Sequence, residues 1–310
     1  MEQEQVMIRG NSIRLSWQDG LTAKVRDYYQ LMKFTLSFMV VFSCVIAYLL
    51  APLVVVSFWK VLLLFVGGLC ITGAANAINQ MMERESDGLM SRTKKRPLPD
   101  GRMEIREAVI FTAVTLTVGL LIMGFCFNWV SAAISLVSVV LYGFVYTPWK
   151  KWNSLAVFVG AFPGALPPLI GWVAATGAIT GGLSYGGWVL FAIQFLWQFP
   201  HFWAIGWVAY DDYRKAGFKL LPSGDGKNRF SAIQAVTYTV MLIPVGWLPY
   251  YFRMSGIVSA IIIMAIGLFF VYRAVDLFRF CDVKHARKLM FGSYIYLTVM
   301  QLALLADKIH

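Results

Sequence analysis

Charge is scarce in this chain: Asp, Glu, Lys and Arg make up 14% of its 310 residues, whereas 59% are hydrophobic. So small a polar inventory excludes a disordered chain and an ordinary soluble domain. Histidine is nearly absent, with only His201, His285 and His310. Cys44, Cys70, Cys126 and Cys281 are scattered, without a C-x-x-C pair or a Cys/His cluster, so neither a disulfide framework nor a zinc site is indicated. Acids are the rarer charge, 16 against 27 basic residues, for a net +11. A surplus of that size raises nucleic acid as a partner. The basic residues lie between apolar blocks, however, which points to membrane topology instead.

Apolar runs long enough to cross a bilayer fall near 32–52, 57–82, 108–128, 130–147, 155–175, 186–210, 232–252, 256–274 and 289–307. The expectation is an all-α, polytopic membrane protein of nine transmembrane helices. With the N-terminus inside, 24 of the 27 basic residues lie on the cytoplasmic side, leaving Lys60, Arg253 and Lys308 outside. The long inner segments 83–107 and 211–231, against very short outer turns, place function on the cytoplasmic face. They also hint at a duplicated half.

Where the second span runs out, Asn79, Glu83 and Asp87 recur every four residues on one helix face, and Thr72 and Asn76 extend that face into the bilayer. Carboxylates beside hydrocarbon are costly unless paired or bound to a cation. Magnesium suits such a stripe, since it takes one or two carboxylates and completes its shell with water and phosphate. The alternative is a solvated helix end whose acids pair with Arg84 and nearby lysines. Arg92, Lys94, Lys95 and Arg96 follow at once, a cationic cluster suited to a diphosphate or to a plain cytoplasmic loop. Lys150 and Lys151 supply cations at the same border.

A second constellation spans Gln194, Trp197, Gln198, Pro200, His201, Phe202 and Trp203, then Tyr210, Asp211, Asp212, Tyr213, Arg214 and Lys215. Pro200 is placed to kink the helix and turn polar groups inward. An intramembrane histidine is a functional candidate, and a hydrogen bond to a neighbouring helix is its plainer explanation.

These motifs together resemble a known family. Asn79-x3-Glu83-x3-Asp87 leading into Arg92-Thr93-x-x-Arg96-Pro97-Leu98-Pro99 is similar to the first aspartate-rich motif of the UbiA-type intramembrane prenyltransferases. Tyr146-Thr147-Pro148, Pro163-Gly164-Ala165 with Pro167-Pro168, Pro200-His201-Phe202-Trp203 and Asp212-Tyr213-x-x-Ala216-Gly217 resemble the members that farnesylate haem. The resemblance covers roughly residues 30 to 305.

It implies a nine-helix bundle around a central cavity, with 1–30 a cytoplasmic segment and 31–310 one prenyltransferase domain. It further implies that farnesyl diphosphate, haem B and water give haem O and diphosphate with Mg²⁺. On this resemblance Asn79, Glu83, Asp87 and Asp212 are the catalytic and metal-binding residues, with Asp211 the alternative partner because Ala216 stands where an acid is expected. Arg92, Lys95, Arg96, Lys150, Arg214 and Lys215 are the substrate-binding cations, and His201 contacts the haem. Haem A synthase or oxidase assembly proteins are the implied partners, and nucleic acid is not one. Residues 1–30 mix acids with bases and lack an apolar core ahead of a cleavage site, so neither a signal peptide nor a transit peptide is expected. That favours a bacterial cytoplasmic membrane. A prenyltransferase of quinone or chlorophyll precursors, a transporter and an inert assembly factor are the competing readings.

Overall fold

The computed structural model describes residues 20–309 apart from 53, 55 and 225. Most of the expected N-terminal segment, and His310, therefore lie outside the described residues. The described chain is helical throughout, with a lone β-bridge between Ser255 and Lys308. Eight helices are long and apolar enough to cross a membrane. A ninth span exists when α1, Gly20–Leu31, is joined to α2, Phe34–Leu50, across a bend of 51°.

The remaining elements are α3 (Phe58–Met82), α4 (Arg84–Leu89), α5 (Ile105–Cys126) and α6 (Trp129–Val140). A π-helical turn, Leu141–Tyr146, carries α6 into α7 (Thr147–Trp149). Then come α8 (Ala156–Thr176), α9 (Tyr185–Val208), α10 (Tyr210–Lys215), α11 (Arg229–Gly246), α12 (Leu248–Tyr251), α13 (Ile257–Phe280) and α14 (Val283–Ala306). In one half α3 packs on α5 and α6 on α8; in the other, α11 and α14 pack on α9, and α13 packs on α11 and α14. Contacts of α8 with α9 and of α2 with α14 join the two.

The α1–α2 bend is built by polar groups. Lys33 adopts a left-handed conformation (φ 48°, ψ 56°), which stops α1 and leaves its last carbonyls without their α-helical donors, the Lys33 N–H reaching only back to Gln30 at 3.2 Å. Buried amides from α3 satisfy them: Gln80 donates to the carbonyls of Gln30 and Leu31, and Asn76 to that of Met32. Asn76 is thereby committed to the bend, although its spacing places it on the stripe of Asn79, Glu83 and Asp87. The bend falls at residues 32 and 33, the start of the apolar run expected over 32–52, so the first span begins with a polar elbow.

Helix α8 is the most buried span and α5 the least. Proline at 167 and 168 removes the donors for the carbonyls of Pro163 and Gly164. Ser138 of α6 donates to the first at 3.3 Å and Gln194 of α9 to the second at 3.0 Å, so proline breaks become cross-helix ties. Gly171 permits the closest approach, since a Cβ there would stand 1.9 Å from the Cys44 carbonyl of α2.

Candidate active site

The end of α3 and the start of α4 carry Asn79, Glu83 and Asp87 on one buried face. Each oxygen donor meets a cation or hydroxyl from a different part of the chain. Lys33, at the bend, donates to Asn79 Oδ1 at 2.7 Å, while Asn79 Nδ2 donates to the Thr147 hydroxyl at 3.1 Å. Lys150 Nζ lies 2.8 Å from Glu83 Oε1, and Arg96 Nη1 lies 2.6 Å from Asp87 Oδ2. Asp87 Oδ1 is buried without a hydrogen-bond partner among the described residues.

The π turn explains how Lys150 arrives there. The Thr147 backbone N–H donates to the Tyr142 carbonyl five residues back, which widens the helix, and the Thr147 hydroxyl donates to the same carbonyl at 2.8 Å; α7 then packs on α3. The Lys150 ammonium sits 4.6 Å from the centre of the Tyr146 ring and 5.7 Å from that of Phe218, both buried. The Lys150 carbonyl then accepts from the Lys219 backbone N–H, tying α7 to the segment after α10. Burial pushes the Glu83 carboxyl up, but Lys150 and Lys33 outweigh it and hold the group below its ordinary value. Burial likewise disfavours charge on Lys150, and Glu83 reverses that, raising it above the usual lysine range. The pair is thus ionised on both sides.

The loop after α4 is held by α10. Asp212 of α10 accepts from the Ser91 hydroxyl at 2.6 Å and from the Arg92 backbone N–H at 3.3 Å, and Arg92 Nη2 lies 3.4 Å from the Tyr213 hydroxyl. The Ser91 hydrogen bond holds the Asp212 carboxyl below its ordinary value. Asp212 therefore clasps the loop from outside the buried cluster. Asp211 faces Lys227 at 3.8 Å and Lys215 faces Asp212 at 3.6 Å, both exposed; Arg214 and Lys95 are exposed as well.

His201 stands on α9 with its ring buried against α14. The Tyr294 ring of α14 meets it edge-on, 5.0 Å away. Gln194 and Gln198, part of the same sequence constellation, spend their amides on carbonyls of α8.

Two site residues escape a sequence reading. Lys33 looks like a basic flank of the first span, and only its left-handed backbone aims it at Asn79. Thr147 stands in a recognisable tripeptide, but its contact with Asn79 depends on the π turn.

The UbiA prenyltransferase family model matches residues 40–300. This chain belongs to the UbiA prenyltransferase family. A protoheme IX farnesyltransferase of Cytophaga hutchinsonii is 47% identical, covering 94% of this UbiA chain and 100% of that protein. One from Christiangramia forsetii is 44% identical over 91% of this chain and 93% of its own. Among solved structures, a digeranylgeranylglyceryl phosphate synthase superposes with a TM-score of 0.75 at 22% identity, covering 92% of this chain and 98% of that one. A UbiA homolog from Archaeoglobus fulgidus, bound to GPP and Mg²⁺, gives 0.68 at 16% identity over 90% and 99%. At those identities the likeness establishes the UbiA fold.

The donor set agrees with a hard divalent cation. Asn79, Glu83 and Asp87 offer oxygen ligands, and Asp87 Oδ1 is free to accept one. Among the described residues no three His, Cys, Asp or Glu side chains converge as a metal site. Water and phosphate oxygens would have to complete the shell, as Mg²⁺ readily allows.

Proposed function

We propose that this chain transfers the farnesyl group of farnesyl diphosphate to a vinyl group of haem B with addition of water, giving haem O and diphosphate. The observation that carries the transfer is the buried cluster of Asn79, Glu83 and Asp87 faced by Lys33, Arg96 and Lys150, with one Asp87 oxygen left open. Support for haem as acceptor comes from curated relatives above 40% identity, aligned along nearly their whole length.

Two carboxylates face three basic side chains, so the cluster lacks the excess of negative charge that draws a bare metal ion and is suited to an anion. A diphosphate accompanied by Mg²⁺ would suit both sides, its oxygens pairing with Lys33, Arg96 and Lys150 and the carboxylates of Glu83 and Asp87 serving to hold the metal. Asn79, Glu83 and Asp87 are the proposed metal-holding groups, with Asp212 reaching the bound complex once its clasp on Ser91 opens. When bound, Mg²⁺ supplies Lewis-acid stabilisation of the departing diphosphate. Lys150, Arg96, Arg92 and Lys33 neutralise the charge that develops there, and Lys95, Arg214 and Lys215 form the cationic approach.

The C1–O bond of the farnesyl group then breaks, its electron pair leaving with the diphosphate. Tyr146 and Phe218, already beside the Lys150 ammonium, provide π faces suited to the allylic cation. The haem vinyl pair forms the new C–C bond, and water adds to the resulting cation and loses a proton. The central cavity, His201 as haem contact, and a single domain over 31–310 preceded by a cytoplasmic 1–30 belong to the same proposal. So does an N-in orientation in a bacterial cytoplasmic membrane, with the site open to the cytoplasm, and so does delivery of the poorly soluble product to haem A synthase or oxidase assembly proteins.

Asp87→Asn tests the cluster. The variant should insert and fold, yet lose turnover by about 10²–10³-fold, the cost of removing one group that stabilises developing charge. Full activity at saturating Mg²⁺ would remove Asp87 from the metal-binding role. Supplying an aromatic quinone precursor in place of haem separates the acceptors, since only haem should be prenylated.

A further inference from the structure

One hydroxyl on α14 decides the chemistry of the intramembrane imidazole on α9. Ser293 Oγ lies 2.5 Å from the Met290 carbonyl oxygen and 2.7 Å from His201 Nδ1. A hydroxyl has a single hydrogen, and the carbonyl can only accept it, so Ser293 donates to Met290 and offers a lone pair to the ring. Nδ1 therefore carries the imidazole proton and Nε2 the lone pair. Among the described residues Nε2 has no hydrogen-bond partner, although the side chain is only 7% exposed.

The ring is also locked in orientation. Trp197 stacks on it at 4.6 Å and 16°, and Tyr294 meets it edge-on at 5.0 Å. The Trp197 indole N–H donates to the Ser293 carbonyl at 2.8 Å, fixing the backbone that carries the hydroxyl. A buried, single-tautomer imidazole with an unused lone pair is the arrangement in which the bonded ring nitrogen selects the other for a metal.

We propose that His201 Nε2 is an axial ligand to the iron of the acceptor porphyrin, and that Ser293 is the positioning residue that fixes the tautomer for it. The proposal rests on haem being the acceptor. It adds that the protein reads the iron as well as the macrocycle, and so binds an iron porphyrin more tightly than its metal-free counterpart.

Ferric haem and metal-free protoporphyrin IX, titrated separately into the full-length protein in detergent, test this by absorption and electron paramagnetic resonance. Farnesyl diphosphate binding is measured on every variant to show that it is folded. The wild type should give a nitrogen-ligated haem spectrum and favour the iron porphyrin. His201→Ala should lose that spectrum while binding the metal-free porphyrin unchanged. Ser293→Ala should weaken haem on the order of 10-fold, as loss of a ligand's supporting hydrogen bond does, and Ser293→Thr should restore it. An unaltered spectrum in His201→Ala, or equal wild-type affinity for the two porphyrins, overturns the ligation and leaves haem as acceptor intact; the second comparison needs no variant. A protein that binds farnesyl diphosphate but neither porphyrin overturns both.

Discussion

Glu83 and Lys150 meet at 2.8 Å with both side chains nearly inaccessible, so each charge depends on the other. Removing one partner strands a buried ion, and Glu83→Gln or Lys150→Met alone should each destabilise by about 3–5 kcal/mol. The double variant should recover most of that stability, because two neutral groups of similar shape satisfy the site. It should recover no activity, since the cation and the carboxylate are both needed once diphosphate is bound. Thermal unfolding in detergent beside turnover separates these outcomes, and a double variant as unstable as the singles contradicts the pairing. The stripe Asn79, Glu83 and Asp87 was legible from spacing alone because four-residue steps keep a helical face. Two neighbours resisted such reading: Asn76 lies on the same stripe but caps the α1–α2 bend, and Lys33 reaches the site only through a backbone conformation that hydropathy does not record.

Between elements, the proline breaks of α8 are held by side chains of α6 and α9. Gln194→Leu should leave the Gly164 carbonyl without a donor and cost about 1–3 kcal/mol, seen as a lower unfolding midpoint with prenyl diphosphate binding retained. An unchanged midpoint would show that the tie is dispensable. From sequence, Gln194 and Gln198 belong to the histidine constellation; the structure assigns them to the α8–α9 seam, where Gln194 takes the Gly164 carbonyl freed by Pro168 and Gln198 bonds the Ala161 carbonyl. The clasp between Asp212 and the Ser91–Arg92 segment is electrostatic, and its pH dependence has a definite sign. The folded carboxyl lies below its ordinary value, so the contribution is complete above the unfolded value near ~4 and is lost as pH falls through the folded one. Hydrogen exchange at the Arg92 amide should therefore show constant protection from pH 5 to 8, after correction for intrinsic rates, and lose it only in stronger acid. Loss of protection between pH 6 and 7 would contradict the assignment.

Across the whole molecule, two scattered cysteines report orientation. Cys126 is exposed at the end of α5 and Cys281 follows α13; the proposed N-in orientation puts the first outside and the second inside, so a membrane-impermeant maleimide added to intact cells should label the first and spare the second. The reverse pattern would invert the topology. Span number and placement were legible because apolar length is a local property, and eight spans needed nothing more. The first span was not fully legible, since its bend is made by tertiary contacts from α3 and not by proline or glycine within it. The same limit separates the proposed diphosphate-binding residues, written in short motifs, from the proposed haem contact, where α9 and α14 meet across about ninety residues of sequence.

The central claim is the identity of acceptor and donor together. Mass spectrometry of the porphyrin, after incubating the purified protein with haem B, farnesyl diphosphate and Mg²⁺ beside a chelator control, tests it most directly. The account predicts a hydroxyfarnesylated haem that appears with the metal and disappears with the chelator. Unmodified haem from a preparation that releases diphosphate when given another acceptor would contradict it.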